Sequence, residues 1–126
     1  MNQEALFYES FNQALTAVVA ACGGAKKVGS ILFPEKTADA ARSQLLDCLN
    51  DDRPAKLSPE HIIMVLRMGQ EVGCHAAINY ISSEAGYSTP QPITPEDEAA
   101  KLQREFIQSM KAMQSLTEKM ERKGLL

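Results

Sequence analysis

The chain has 126 residues, of which 44% are hydrophobic, 23% charged and 6% aromatic, with no Trp and a formal net charge of −3. That size predicts one domain with at most a short appendage, and that composition excludes wholesale disorder and a uniformly basic nucleic-acid coat, although not a local basic face. With so few rings, a core must be built from Leu, Ile, Val, Met and Ala, which suits helix packing better than a β-sandwich.

In the first segment, Gln3–Cys22, apolar residues fall at Phe7, Phe11, Leu15, Val18, Val19 and Cys22. Those steps predict a helix, stopped by Gly23-Gly24, which tolerate positive φ. Ala25–Phe33 reads as a short helix with Lys26 and Lys27 near its start and Val28, Ile31 and Leu32 on one face, closed by Pro34. Thr37 is the N-cap expected for a third helix, Ala38–Asn50. Its apolar face is Ala41, Leu45, Cys48 and Leu49, with Leu46 at the edge, and Asp39, Ala40, Arg42, Ser43, Gln44 and Asp47 form the other face. After the polar loop Asn50–Pro54, Ser58-Pro59 opens a helix over Glu60–Val72 that buries Ile62, Ile63 and Leu66, with Met64 and Val65 as further candidates. A fifth helix, Cys74–Ala85, puts Ala77, Ile78 and Ile81 inside and ends at Gly86.

Tyr87–Pro95 holds three prolines, the composition of a stiff linker. Thr94-Pro95-Glu96-Asp97 then starts a helix with no Gly or Pro until Gly124. Its apolar positions, Ala99, Leu102, Phe106, Met110, Met113, Leu116 and Met120, span 21 residues in six steps, a mean of 3.5. That is the coiled-coil period, and it favours self-association over a helix folded back on its own domain. The expected architecture is all-α: a compact five-helix N-terminal domain (1–86) containing a helix-turn-helix, a linker (87–95) and a long amphipathic oligomerisation helix (96–126).

Function is expected in the span Gly24–Asn50. A short helix with two lysines at its start, a tight turn and a helix with a polar outer face have the layout of a helix-turn-helix, whose second helix enters the ~12 Å major groove. Arg42, Ser43 and Gln44 carry the groups that read base edges, with Lys36 and Thr37 at the start. Ala40 is small enough for close approach and could touch a thymine methyl. Lys26, Lys27, Arg53 and Lys56 are the expected phosphate contacts. Six cations against five anions between Ala25 and Lys56 leave a net of one positive charge. One copy would bind weakly, since phosphate contacts supply much of the affinity. Several copies, joined through Leu102, Phe106, Met110, Met113, Leu116 and Met120, would be needed.

The words Leu15…Ala17-Val18…Cys22-Gly23-Gly24-Ala25-Lys26-Lys27-Val28-Gly29, Leu32…Pro34-Glu35-Lys36, Ala41-Arg42…Leu45…Cys48-Leu49-Asn50…Arg53…Lys56-Leu57, Gly73-Cys74-His75-Ala76-Ala77 and Gly86-Tyr87-Ser88-Thr89-Pro90-Gln91-Pro92 together resemble the phage regulatory protein CII family. The likeness runs through most of the chain. It implies a DNA-binding transcriptional regulator of a temperate phage or prophage acting in the choice of lysogeny, with Lys26 and Lys27 opening the bracing helix and Ala38–Asn50 as the reading helix. The partners expected are double-stranded operator or promoter DNA, a second copy of the chain in a dimer or tetramer, and RNA polymerase as a further candidate. The modest basicity departs from a typical repressor. The rival reading is a phage-encoded interaction module, an adaptor or antirepressor with a helical fold and no DNA binding.

Other chemistries find little footing. Cys74 and His75 are adjacent, so on a helix they diverge by about 100° and do not converge on a metal with His61, which is expected to be solvent-exposed or to cap its helix. No phosphate-binding loop or nucleophile motif is present, and no metal, cofactor or enzymatic activity is expected. Cys22, Cys48 and Cys74 form no CxxC pair and are odd in number, as expected of small core residues in a reducing compartment, the bacterial host cytoplasm. The longest apolar runs fall far short of the ~20 residues needed to cross a bilayer, and no signal peptide is expected after Met1-Asn2-Gln3-Glu4.

Overall fold

A computed structural model describes residues 8–125, in which all regular structure is helical. Six helices follow in order: α1 (Phe11–Ala21), α2 (Ala25–Leu32), α3 (Ala38–Leu49), α4 (Pro59–Val72), α5 (Ala76–Ala85) and α6 (Pro95–Arg122). The chain divides into two compact units, one ending at Pro90 and the other beginning at Gln91.

The first helix is shorter than its periodicity predicts. Phe7 and the residues before it lie outside the described residues, and the helix begins only at Phe11. Ser10 sets the boundary, because its hydroxyl accepts the Gln13 N–H at 3.1 Å, satisfying a donor that has no partner within the helix. The same hydroxyl donates to Asp51 at 2.7 Å, and Asn12 donates to the other oxygen of that carboxylate at 2.9 Å. Asp51 thus ties the start of α1 to the loop after α3. At the other end, Gly23 and Gly24 take φ of +113° and +99°, and α1 and α2 meet at a 100° bend. No single helix among the described residues is long and apolar enough to cross a membrane.

The core of the first unit is Leu15 and Val18 of α1, Val28 of α2, Leu45 of α3 and Val65 of α4, all essentially inaccessible, with Ala14, Ala41 and Ala77 closing the gaps. Phe11 stacks on Tyr80 with ring centroids 6.1 Å apart, joining α1 to α5. Two expected core residues lie at the surface. Ile31 is 44% exposed because α2 buries the edge Val28, Gly29 and Leu32, about 100° away from it. Ile63 is 52% exposed because α4 buries Val65 and Gly69, leaving Ile63 on the opposite side. In α5 only Ala77 is fully buried, and Ile78 and Ile81 are half-buried. Cys74 and His75 precede that helix instead of opening it.

α2 and α3 make the closest helix contact in this unit. A Cβ on Gly29 would lie 2.9 Å from the Ala41 carbonyl oxygen and 3.0 Å from its carbon. The turn between the two helices is held from below, with buried Phe33 set against the His61 ring of α4, centroids 4.8 Å apart and the planes at 73°. His61 is accordingly half-buried, and it is Ser58, not His61, that caps α4.

In the second unit, Thr94 and Asp97 close a reciprocal capping box at 3.0 and 3.1 Å, with Pro95 at the first helical position. The 28-residue α6 has acids in its first turn and Lys119 and Arg122 in its last, matching its own dipole.

Gly29→Ala is expected to destabilise the fold by about 1–2 kcal/mol. The gain in helix propensity of ~1 kcal/mol is outweighed by a methyl driven into backbone, an overpacking cost of ~1–3 kcal/mol. Urea unfolding followed by circular dichroism measures the difference.

Candidate nucleic-acid interface

α3 owes its position to its inner edge. Ala41, Leu45 and Cys48 are buried, so at about 100° per residue the direction pointing away from the core is taken by Asp39 and Ser43, flanked by Leu46 and Asp47. All four are exposed, Leu46 by 40%. The helix start is also open, with Lys36, Thr37, Ala38, Asp39 and Ala40 exposed. Thr37 accepts the Ala40 N–H at 3.2 Å, so its oxygen serves the cap while the hydroxyl proton remains to be donated.

The expected reading residues do not share one face. Arg42 and Gln44 are two positions apart, hence about 160° apart around the axis. Arg42 is exposed on one flank, whereas Gln44 is half-buried on the other. Ser43 lies between them at the crest. Asp39 and Leu46, which the sequence reading did not place among the base-contacting residues, share the Arg42–Ser43 side at spacings of three and four. The signal was available in the register, since the same angular count from Ala41 singles them out.

The cations divide too. Lys26 and Lys27 are both exposed at the start of α2, the Lys27 stem passing beside Gly23 with its Cδ 2.7 Å from where a Cβ there would stand. Its ammonium is close enough to Cys22 to favour the thiolate there. Lys56 donates to the Arg53 carbonyl at 2.9 Å and so braces the loop after α3, while the Arg53 side chain is exposed. In the same loop the hydrogen bonds from Ser10 and Asn12, aided by nearby Lys56, hold the Asp51 carboxyl below the usual range. The loop is therefore fixed relative to α1 with a charged carboxylate in it.

Burial pushes the Cys22 and Cys48 thiols up, reinforced by Cys74 for the first and Asp47 for the second. Both pack as small apolar groups. No group of three His, Cys, Asp or Glu among the described residues is placed to hold a metal ion.

α6 carries a second surface. Leu102, Phe106, Met110, Met113 and Leu116 are each more than half exposed, and Met120 is half-buried. Ile107, absent from the expected stripe, is 51% exposed beside Phe106 and widens it.

No protein-family model, curated protein or solved structure matches the chain.

Removing residues 96–126 is expected to leave a folded first unit, since its core lies entirely before Pro90. Sedimentation should report a monomer for the fragment where the full chain is larger, and an unchanged mass per assembly would contradict the role given to α6.

Proposed function

We propose that the chain is a sequence-specific DNA-binding transcriptional regulator of a phage or prophage, acting in the establishment of lysogeny and binding the major groove as an oligomer. The observation that carries this reading is the tight seating of α3 on α2 at Gly29, which leaves the Asp39–Ser43 side of α3 facing outward at the surface. On this reading α2 and α3 form a helix-turn-helix, with α2 bracing against the backbone and α3 lying in the groove. The likeness to the phage CII family supports the biological setting, and the fold supports it only as far as an all-α chain.

The roles follow from chemistry. Arg42 is the donor for guanine O6 and N7. Ser43 and Thr37 offer hydroxyls near the groove floor, and Asp39 is an acceptor for cytosine N4–H. Ala40 allows close approach, and Leu46 is the apolar contact for a thymine methyl. Gln44 reads from the flank. Lys36 reads at the helix start, Lys26, Lys27 and Arg53, all exposed, meet phosphates, and Lys56, bonded to the Arg53 carbonyl, acts mainly on the loop. Because the local charge is nearly balanced, affinity comes from joining copies through α6, which sets several reading helices on one duplex.

Arg42→Ala and Lys26→Ala separate the two kinds of contact. Arg42→Ala is expected to cost about 1–3 kcal/mol on operator DNA and to relax the preference at one base pair, whereas Lys26→Ala should weaken all sequences alike and reduce the salt slope by about one. Gel shifts on intergenic DNA beside the gene and on random duplex at several salt concentrations make the comparison. Unchanged binding by both variants would remove this face from the interface. Absence of any shift, together with stoichiometric capture of one protein, would favour the adaptor or antirepressor reading.

A further inference from the structure

We propose that α6 pairs with α6 of a second copy in antiparallel orientation, in the register that sets Phe106 opposite Leu116. This rests on the reading of α6 as a self-association helix and adds its direction and register.

The 3.5-residue repeat fixes the seam. Ala99, Phe106, Met113 and Met120 recur every seven residues, and Leu102, Ser109 and Leu116 recur between them. These are the two core positions of a heptad, and Ser109 is the one polar residue among them. In a parallel pair each residue meets its own copy, so two Ser109 hydroxyls would share one layer and two Phe106 rings would crowd another. In an antiparallel pair the two kinds of core position face each other. Centred on the stripe, this sets Leu102 against Met120, Phe106 against Leu116 and Ser109 against Met113. Every large side chain at these core positions from Leu102 to Met120 then has a large or flexible partner, with Met110 on the flank of the seam, and the small Ser109 faces a Met that can fill its gap.

Charge points the same way. The residues just before the seam's first position are Glu98, Glu105, Ala112 and Lys119, acidic in the first half and basic in the second. Antiparallel helices bring this row against itself, so that Glu105 lies beside Lys119 of the second copy, twice per pair. The acidic first turn of each helix, Glu96, Asp97 and Glu98, reaches the end of the other that carries Arg122 and Lys123. Parallel helices would set that row against Gln103, Met110 and Thr117, giving no opposite-charge contact, and would gather like charges at both ends. Opposed helix dipoles add to the same preference. The two linkers then leave from opposite ends of the pair.

The test mixes two full-length variants, Glu105→Lys and Lys119→Glu, both surface changes that leave the first unit untouched. Alone, each sets two like charges face to face in an antiparallel pair and is expected to associate roughly threefold more weakly than wild type. Mixed, they make two opposite-charge contacts. With equal amounts mixed and one variant isotope-labelled, native mass spectrometry should find mixed pairs well in excess of the statistical half. A statistical mixture from variants that still associate would overturn the orientation and register while leaving self-association standing. A wild-type chain that is monomeric at every concentration would remove both.

Discussion

The absence of a side chain at Gly29 is the constraint on which the arrangement turns. Because no Cβ stands there, the Ala41–Arg42 backbone of α3 comes within what would be contact distance of it. That contact, with Leu45 and Val28 filling the space beside it, sets the rotation of α3 about its own axis. Rotation decides which residues face outward. Turning α3 by one residue, about 100°, would bury Arg42 and swing Cys48 out of the core. Phe33 on the His61 ring holds the intervening turn from below, and Asp51 fixes the far end of α3 to the start of α1. The outward face is thus positioned from three sides by contacts that use none of its side chains.

On the proposed function, the charge pattern explains why such a chain would need two parts. A net charge of −3 overall gives no general attraction to a polyanion, and one of the four expected phosphate ligands, Lys56, is engaged within the protein. A reading helix with weak backbone support discriminates between sequences without gaining much affinity from any of them. Linking copies raises affinity without adding non-specific charge, because a second contact is then made at high effective concentration. The exposed apolar band of α6 supplies that linkage in the proposed mechanism, and its acidic-to-basic gradient selects how the helices meet.

Much of the fold was legible in the sequence because the signals were local. Thr37, Ser58 and Thr94 act as caps where expected, and Gly23-Gly24 break the chain at positive φ. The 3.6-residue periodicity located the helices of the first unit. What escaped was set by tertiary contact. Ile31 and Ile63 share the hydrophobicity of their buried neighbours, and only the packing of α2 on α3 and of α4 on α1 decides that Gly29 and Gly69 take the inner places. Ser10 starts α1 late, capping it through the Gln13 N–H while its hydroxyl is held by Asp51, 41 residues away. For the candidate interface, residue types pointed to α3. The split between Arg42 and Gln44, and the place of Asp39 beside Ser43, emerge once the buried edge is known.

Guanine N7 methylation protection on duplex DNA from beside the gene tests the central claim most directly, since dimethyl sulfate reaches N7 only through the major groove. With the full-length chain bound, the account predicts protected guanines in short clusters on one face of the helix, separated by about 10 base pairs or a multiple, and loss of protection at a single position per cluster when Arg42 is replaced by Ala. Stable binding with every N7 still open to methylation would contradict an α3 seated in the groove.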